Sequence, residues 1–179
     1  MNKFQKKSMR LFLLSLIIVI VAAIGILFSI VTGFATNLGF IRQYVYSSDI
    51  GIAGAVIIGA TFCIFIFRRI VRYLDMDELL DALLKLGIKI LQKIHIPLAM
   101  IGFAVISFHV YIFINLGFKW TLGYIFGALA AIDLLILVIS GVLRIFNKGI
   151  KSHKVLGMIL LVLTIIHIGL VKFFPLLML

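Results

Sequence analysis

Apolar residues run along this chain in long unbroken blocks, and the polar residues gather between them. Five blocks can be drawn, at about residues 11–34, 49–67, 94–117, 120–143 and 154–174. Each is near the ~20 residues that an α-helix needs to cross the apolar core of a bilayer. The blocks are too long for barrel strands and carry no turn signals at barrel spacing. The pattern predicts an all-α integral membrane protein with five transmembrane helices.

Between the second and third blocks the period changes. In DMDELLDALLKLGIKILQKI the charges recur every fourth residue, at Asp77, Asp81, Lys85, Lys89 and Lys93. Leu79, Leu80, Leu83, Leu84, Ile88 and Leu91 fill much of the remaining surface. That spacing predicts an amphipathic helix over about 76–93. Its acids lie in the first turns and its lysines in the last, which suits the helix dipole, and Asp81 and Lys85 form a favourable i,i+4 pair. It reads as an interfacial helix on the cytoplasmic membrane surface, with docking of a soluble partner as the alternative use of the same face.

Composition agrees with this picture. Of 179 residues, 64% are hydrophobic, and the mean hydropathy is +1.31. A soluble domain of this size could not bury so much apolar surface, so a single membrane domain over 1–179 is expected, in contact with the lipid bilayer. The net charge of +11 could suggest nucleic acid, but its placement argues otherwise. All but three of the 17 basic residues precede the first span or lie between the second and third or the fourth and fifth. Arg42, Lys119 and Lys172 are the exceptions. The positive-inside rule then sets the N-terminus in the cytoplasm and the C-terminus outside, in a multi-pass protein of the cell membrane. The charge is a topology signal, and no nucleic-acid partner is expected. The basic start and the long LFLLSLIIVIVAAIGILFSIV run read as an uncleaved anchor rather than a signal peptide. Cys63 stands alone, so there is no disulfide framework, no CxxC metal site and no CxxCH haem attachment.

The candidate chemistry lies in the four histidines. They bracket two apolar runs, HIPLAMIGFAVISFH at 95–109 and HKVLGMILLVLTIIH at 153–167. Fourteen residues at about 100° each come within roughly 40° of whole turns, so His95 and His109 share a helix face about 21 Å apart. His153 and His167 have the same relationship. One span separates the two runs, so the two helices run parallel. His95 and His153 lie near the cytoplasmic boundary, and His109 and His167 lie at similar depths further out. Facing helices of this kind offer two stacked pairs of imidazoles. A six-coordinate haem iron takes two axial nitrogens on opposite faces of the porphyrin, whereas zinc would gather three or four ligands at one place. Noncovalent haem b fits best, with axial ligation by His95, His109, His153 and His167. Gly102, midway between His95 and His109, is a candidate to let a porphyrin edge approach; helix packing is the competing reason for it, as for Gly123-x3-Gly127. Lys93, Arg144, Lys148, Lys151 and Lys154 could pair with propionates on the cytoplasmic side, and Arg42, Lys119 or Lys172 on the other.

The histidine runs resemble those of the di-haem transmembrane cytochromes b. These place H-x13-H on two parallel helices with one antiparallel helix between, as residues 95–109 and 153–167 do. The resemblance covers roughly residues 90 to 173 and includes Ile139, Ser140 and Gly141 ahead of the second pair. It implies that His95 pairs with His153 on one haem and His109 with His167 on the other. Ferric-reductase-like membrane domains, including those of NADPH oxidases, are similar in topology and basic cytoplasmic loops. They usually shorten the second spacing by one residue, have a sixth helix and often continue into a flavin domain. This chain keeps both spacings equal and is nearer the small bacterial cytochrome b type.

Asp133, in ALAAIDLLILV, is the other intramembrane polar residue. A carboxyl there is costly and is a functional candidate, either carrying protons toward a quinone or hydrogen-bonding a neighbouring helix. Tyr111, Tyr124 and Trp120 read as an outer aromatic belt, with Trp120 also a candidate neighbour of a haem or quinone headgroup. The expected function is electron transfer across the membrane between two haems about 20 Å apart. No nucleotide or flavin fingerprint is present, so a quinone or another redox-complex subunit is expected as partner. The competing readings are a self-contained reductase of ferric iron, oxygen or quinone at the outer face, and a haem-free anchor or transporter.

Overall fold

The computed structural model describes residues 3–34, 40–73, 77–117, 119–146 and 152–173, with side chains from Met9 in the first segment and Val45 in the second. These residues form five α-helices and no strand: α1 (Lys3–Thr32), α2 (Phe40–Tyr73), α3 (Glu78–Asn115), α4 (Leu122–Ile145) and α5 (His153–Phe173). All five are long and apolar enough to cross a membrane. Helix is the form that satisfies every backbone N–H and C=O within one segment, which lipid requires. The ends follow local chemistry. Gly117, just past α3, adopts φ 89°, a conformation that a Cβ would disfavour, and its N–H bonds the Ile114 carbonyl at 3.1 Å. Thr121 caps α4 by accepting from the Tyr124 N–H at 3.5 Å.

α3 differs from the sequence expectation. The pattern predicts two elements, an interfacial helix over about 76–93 and a span beginning near 94. The structure has one uninterrupted helix of 38 residues, about 57 Å long at 1.5 Å per residue. Pro97 lies inside it and leaves the Lys93 carbonyl without its usual partner, yet the helix continues. The physical reason is that the change from amphipathic to wholly apolar pattern occurs within good helix formers, with no turn residue between Gln92 and His95. Met76 lies outside the described residues. The Asp81–Lys85 pair does form, with 2.5 Å between Nζ and Oδ2.

Two antiparallel hairpins make up most of the fold. α2 packs along α3, α4 packs along α5, and α1 lies against α3. Small residues permit the close approach within the first hairpin: a Cβ on Gly54 would stand 2.5 Å from Ile106 Cδ1. α1 is tied to α3 by a hydrogen bond from the Tyr111 hydroxyl to Ser29 Oγ at 3.1 Å. Contact between the hairpins is sparser. It includes the Phe62 ring against Gly157 and Lys172 Nζ donating to Ser48 Oγ at 3.2 Å. The two histidine helices, α3 and α5, run parallel without packing closely on one another among the described residues. Met100 and Ala104 on α3, Leu134 on α4 and Leu160 on α5 form the buried apolar core. Outward faces are apolar, with Leu14, Val21, Ile132, Val162 and Ile165 exposed, which suits lipid rather than water.

Candidate functional site

The four histidines line the seam between the hairpins, two from α3 and two from α5. His109 and His167 face each other with ring centroids 6.3 Å apart and ring planes at 73°. His95 and His153 stand within electrostatic range of one another at the other end of the same helices, and Arg144 is within range of both. Arg68 also stands within range of His95. The equal spacing along two parallel helices therefore produces two separate pairs.

Each pair is oriented by what its Nδ1 atoms meet. His109 Nδ1 lies 2.7 Å from the Ser47 carbonyl oxygen on α2, and His167 Nδ1 lies 2.9 Å from the Gly123 carbonyl oxygen on α4. A carbonyl can only accept, so in both rings Nδ1 carries the proton and Nε2 keeps its lone pair. His153 reaches the same state through a hydroxyl. Ser140 Oγ donates to the Leu137 carbonyl at 2.7 Å, so its contact with His153 Nδ1, also 2.7 Å, must be one it accepts. His95 is the exception: its Nδ1 is buried and has no hydrogen-bond partner among the described residues.

The carbonyls can serve the histidines because glycine stands one turn further along. In an α-helix the carbonyl of residue i already pairs with the N–H of residue i+4, leaving one lone pair. A side chain at i+4 would block an approaching ring. After Ser47 that position is Gly51, and a Cβ there would stand 2.6 Å from His109 Cε1. After Gly123 it is Gly127, whose Cβ would stand 2.8 Å from His167 Cε1. After Leu137 it is Gly141, with a looser 3.5 Å to His153 Cε1. Glycine gives each ring a flat backbone surface to lie on.

Gly102 lies where α3 meets α2. A Cβ on it would meet Ile58 Cγ1 at 2.7 Å and Ile57 Cγ2 at 3.4 Å, both on α2. It is buried in the α2–α3 contact, the helix-packing reason considered for it. Gly127 makes the opposite change, from a packing residue to the surface under His167. Tyr111, read as belt, bonds Ser29, and Tyr124 stacks edgewise on Phe113 at 5.5 Å, which in turn meets His109 at 4.9 Å. Trp120 is 86% exposed. Asp133 is buried on α4, and its Oδ2 has no hydrogen-bond partner among the described residues. Lys119, Lys154 and Lys172 are exposed near helix ends, and Lys93 is exposed within α3. Lys148 and Lys151 lie outside the described residues, as does the side chain of Arg42.

The His109–His167 pair fits a two-coordinate axial demand. An imidazole nitrogen sits about 2 Å from a bound transition metal, so two axial rings on one metal have centroids roughly 6 Å apart, as His109 and His167 have. Among the described residues no three or more His, Cys, Asp or Glu side chains converge, so a zinc-type cluster is absent there. No protein family, characterised protein or solved structure matches the chain.

Proposed function

We propose that this chain is a di-haem b membrane cytochrome of the small bacterial type, carrying electrons across the membrane as part of a redox complex. The observation that carries the reading is the His109–His167 pair. Both rings donate Nδ1–H to backbone carbonyls, both keep the Nε2 lone pair, and their centroids lie 6.3 Å apart. His109 and His167 would hold one haem, and His95 and His153 the other. When bound, haem supplies one-electron Fe(III)/Fe(II) chemistry. The chain's own residues do the rest. The Ser47 and Gly123 carbonyls fix the tautomer and ring direction of the outer pair, and Ser140 does so for His153. Gly51, Gly127 and Gly141 give the rings room. The apolar seam excludes water, and Arg144 is placed to meet a carboxylate near the His95–His153 pair.

The positive-inside distribution orients the chain in the cell membrane with its N-terminus and the His95–His153 end in the cytoplasm. The charged first half of α3 would lie at the cytoplasmic interface, continuous with its span. A quinone or a partner subunit would exchange electrons at one end.

A pyridine haemochrome assay on purified protein tests the reading. Two haems b per chain are expected. No haem would leave the anchor or transporter reading standing, and one haem would break the pairing. Alanine at His95 or at His153 should remove the same spectral species, and alanine at His109 or at His167 the other. Quinol oxidation by the isolated protein, without any partner, would favour the self-contained reductase over a subunit.

A further inference from the structure

The last turns of α2 outrun the helix that lies beside them. The Phe62 ring rests against Gly157, where antiparallel α2 and α5 meet. α5 begins at His153, four residues before Gly157, and so at about the level of Ile66 on α2. α2 continues to Tyr73, about 10 Å further. Past Ile66 this side of α2 has no α5 against it, and a groove of about 340 Å³ runs there. Phe65, Ile66, Arg69, Ile70 and Tyr73 line it. It faces away from α3, because Phe67, which meets Gly87 on α3, points about 160° from Arg69 around the helix. We propose that this groove binds an anionic phospholipid, with an acyl chain along Phe65, Ile66 and Ile70 and the phosphate on Arg69.

The character of the groove changes along the helix as a phospholipid does. Its Phe65–Ile66 end belongs to the apolar span, and Arg68, Arg69 and Arg72 follow within two turns, on an arc of about 100°. All three arginines are exposed, and none pairs with an acid among the described residues. Arg69 Cζ stands 5.1 Å from the centroid of the Tyr73 ring. That stack holds the guanidinium at the end of the groove and leaves its N–H edge open, the edge that grips a phosphate bidentately. The one acid on α2 is Asp49, toward the other end of the helix, and Asp77 and Glu78 lie past the arginines at the start of α3. Lys154, beside His153 and exposed, adds a cation at about the level of Phe65.

In the orientation proposed above, the arginines stand at the inner leaflet, whose anionic lipids are drawn to basic residues at the ends of spans. A second copy using the same face would set arginine against arginine. A soluble peptide would have to follow Phe65 and Ile66 into the apolar layer. A lipid meets neither obstacle.

The test uses the full chain in vesicles of equal parts phosphatidylglycerol and phosphatidylcholine, released into mild detergent and weighed by native mass spectrometry. One phosphatidylglycerol per chain should be retained in preference to phosphatidylcholine. Loss of one interfacial cation weakens such binding roughly fivefold, so Arg69→Gln should lower retention by about that factor. Arg69→Lys keeps the charge without the fork and should lower it less. Arg10→Gln removes the same charge from the exposed start of α1 and should change nothing. Equal retention of the two lipids, or an equal loss in Arg10→Gln, overturns the proposal, because charge would then act through the general surface field. Displacement of the lipid by excess inorganic phosphate also overturns it, since the groove would contribute nothing. So does a lipid-free dimer that Arg69→Gln dissolves, which would give the face to a second copy. None of these outcomes depends on haem content.

Discussion

A histidine in a membrane helix has two nitrogens to account for, and here the accounting is done by residues on the neighbouring helix. Ser47 with Gly51 and Gly123 with Gly127 repeat one arrangement: a carbonyl with a spare lone pair and, one turn on, no Cβ in the way; ahead of Gly141 the Leu137 carbonyl also accepts from Ser140 Oγ, which meets His153 Nδ1. Alanine at these glycines should therefore have graded effects. Gly51→Ala and Gly127→Ala place a methyl 2.6 and 2.8 Å from ring carbons. Those rings are held at Nδ1 by carbonyls, so overpacking should cost about 1–3 kcal/mol and displace Nε2. On the di-haem reading, the expected outcome is loss of the His109–His167 haem with the other kept, read as one haem b per chain. Gly141→Ala, whose methyl would sit at an ordinary 3.5 Å from His153 Cε1, should keep both haems. Equal loss from all three would show that ring clearance does not set occupancy. The four histidines were legible in the sequence because their periodicity lies on single helices. Their carbonyl partners were not, because the match of Ser47 to His109 spans 62 residues and depends on how α2 slides along α3. The i, i+4 spacing before Gly51 and Gly127 was visible, but nothing along the chain tells which glycine faces an imidazole.

At the scale of elements, the apolar blocks located all five helices, because lipid leaves the backbone few alternatives. They did not show that α3 is continuous. A change from amphipathic to apolar pattern reports a change of surroundings, which a single helix can cross. Nor did they show what holds α1 in place. Its packing lies against α3, and in lipid a polar contact between helices has no water to replace it. The Tyr111–Ser29 bond supplies one such contact, at 3.1 Å with Ser29 buried. Tyr111→Phe removes the donor and keeps the ring. It should destabilise the α1–α3 contact by about 0.6–2 kcal/mol, and Ser29→Ala should cost a similar amount. The double variant should cost little more than either alone, which a denaturation cycle in mild detergent would measure. Fully additive costs would mean that the two side chains do not act as a pair. On the di-haem reading, haem content should stay unchanged in all three, since neither residue touches a histidine ring.

The whole molecule is two hairpins joined by a seam, and the seam is where the di-haem reading makes its strongest physical demand. α2 with α3, and α4 with α5, bury their small residues against each other, whereas α3 and α5 do not pack closely. A group ligated from both helices would bridge the hairpins at two depths and add contacts that the protein alone lacks. Binding to the folded state then stabilises it by RT ln(1 + [L]/Kd), about 2.7 kcal/mol when free haem is at 100 times Kd. Protein made under haem depletion should accordingly unfold at a lower temperature in detergent, and the midpoint should climb as hemin is added, saturating at two equivalents. The His95→Ala variant should saturate at one. The hairpins themselves should be less affected, because their internal packing does not depend on the bridge. Pairs of spin labels on α2 and α3 should thus keep their separation on haem depletion, while pairs on α2 and α4 should broaden. A midpoint independent of hemin, with unchanged distances across the seam, would mean that the hairpins hold together without any bridging group.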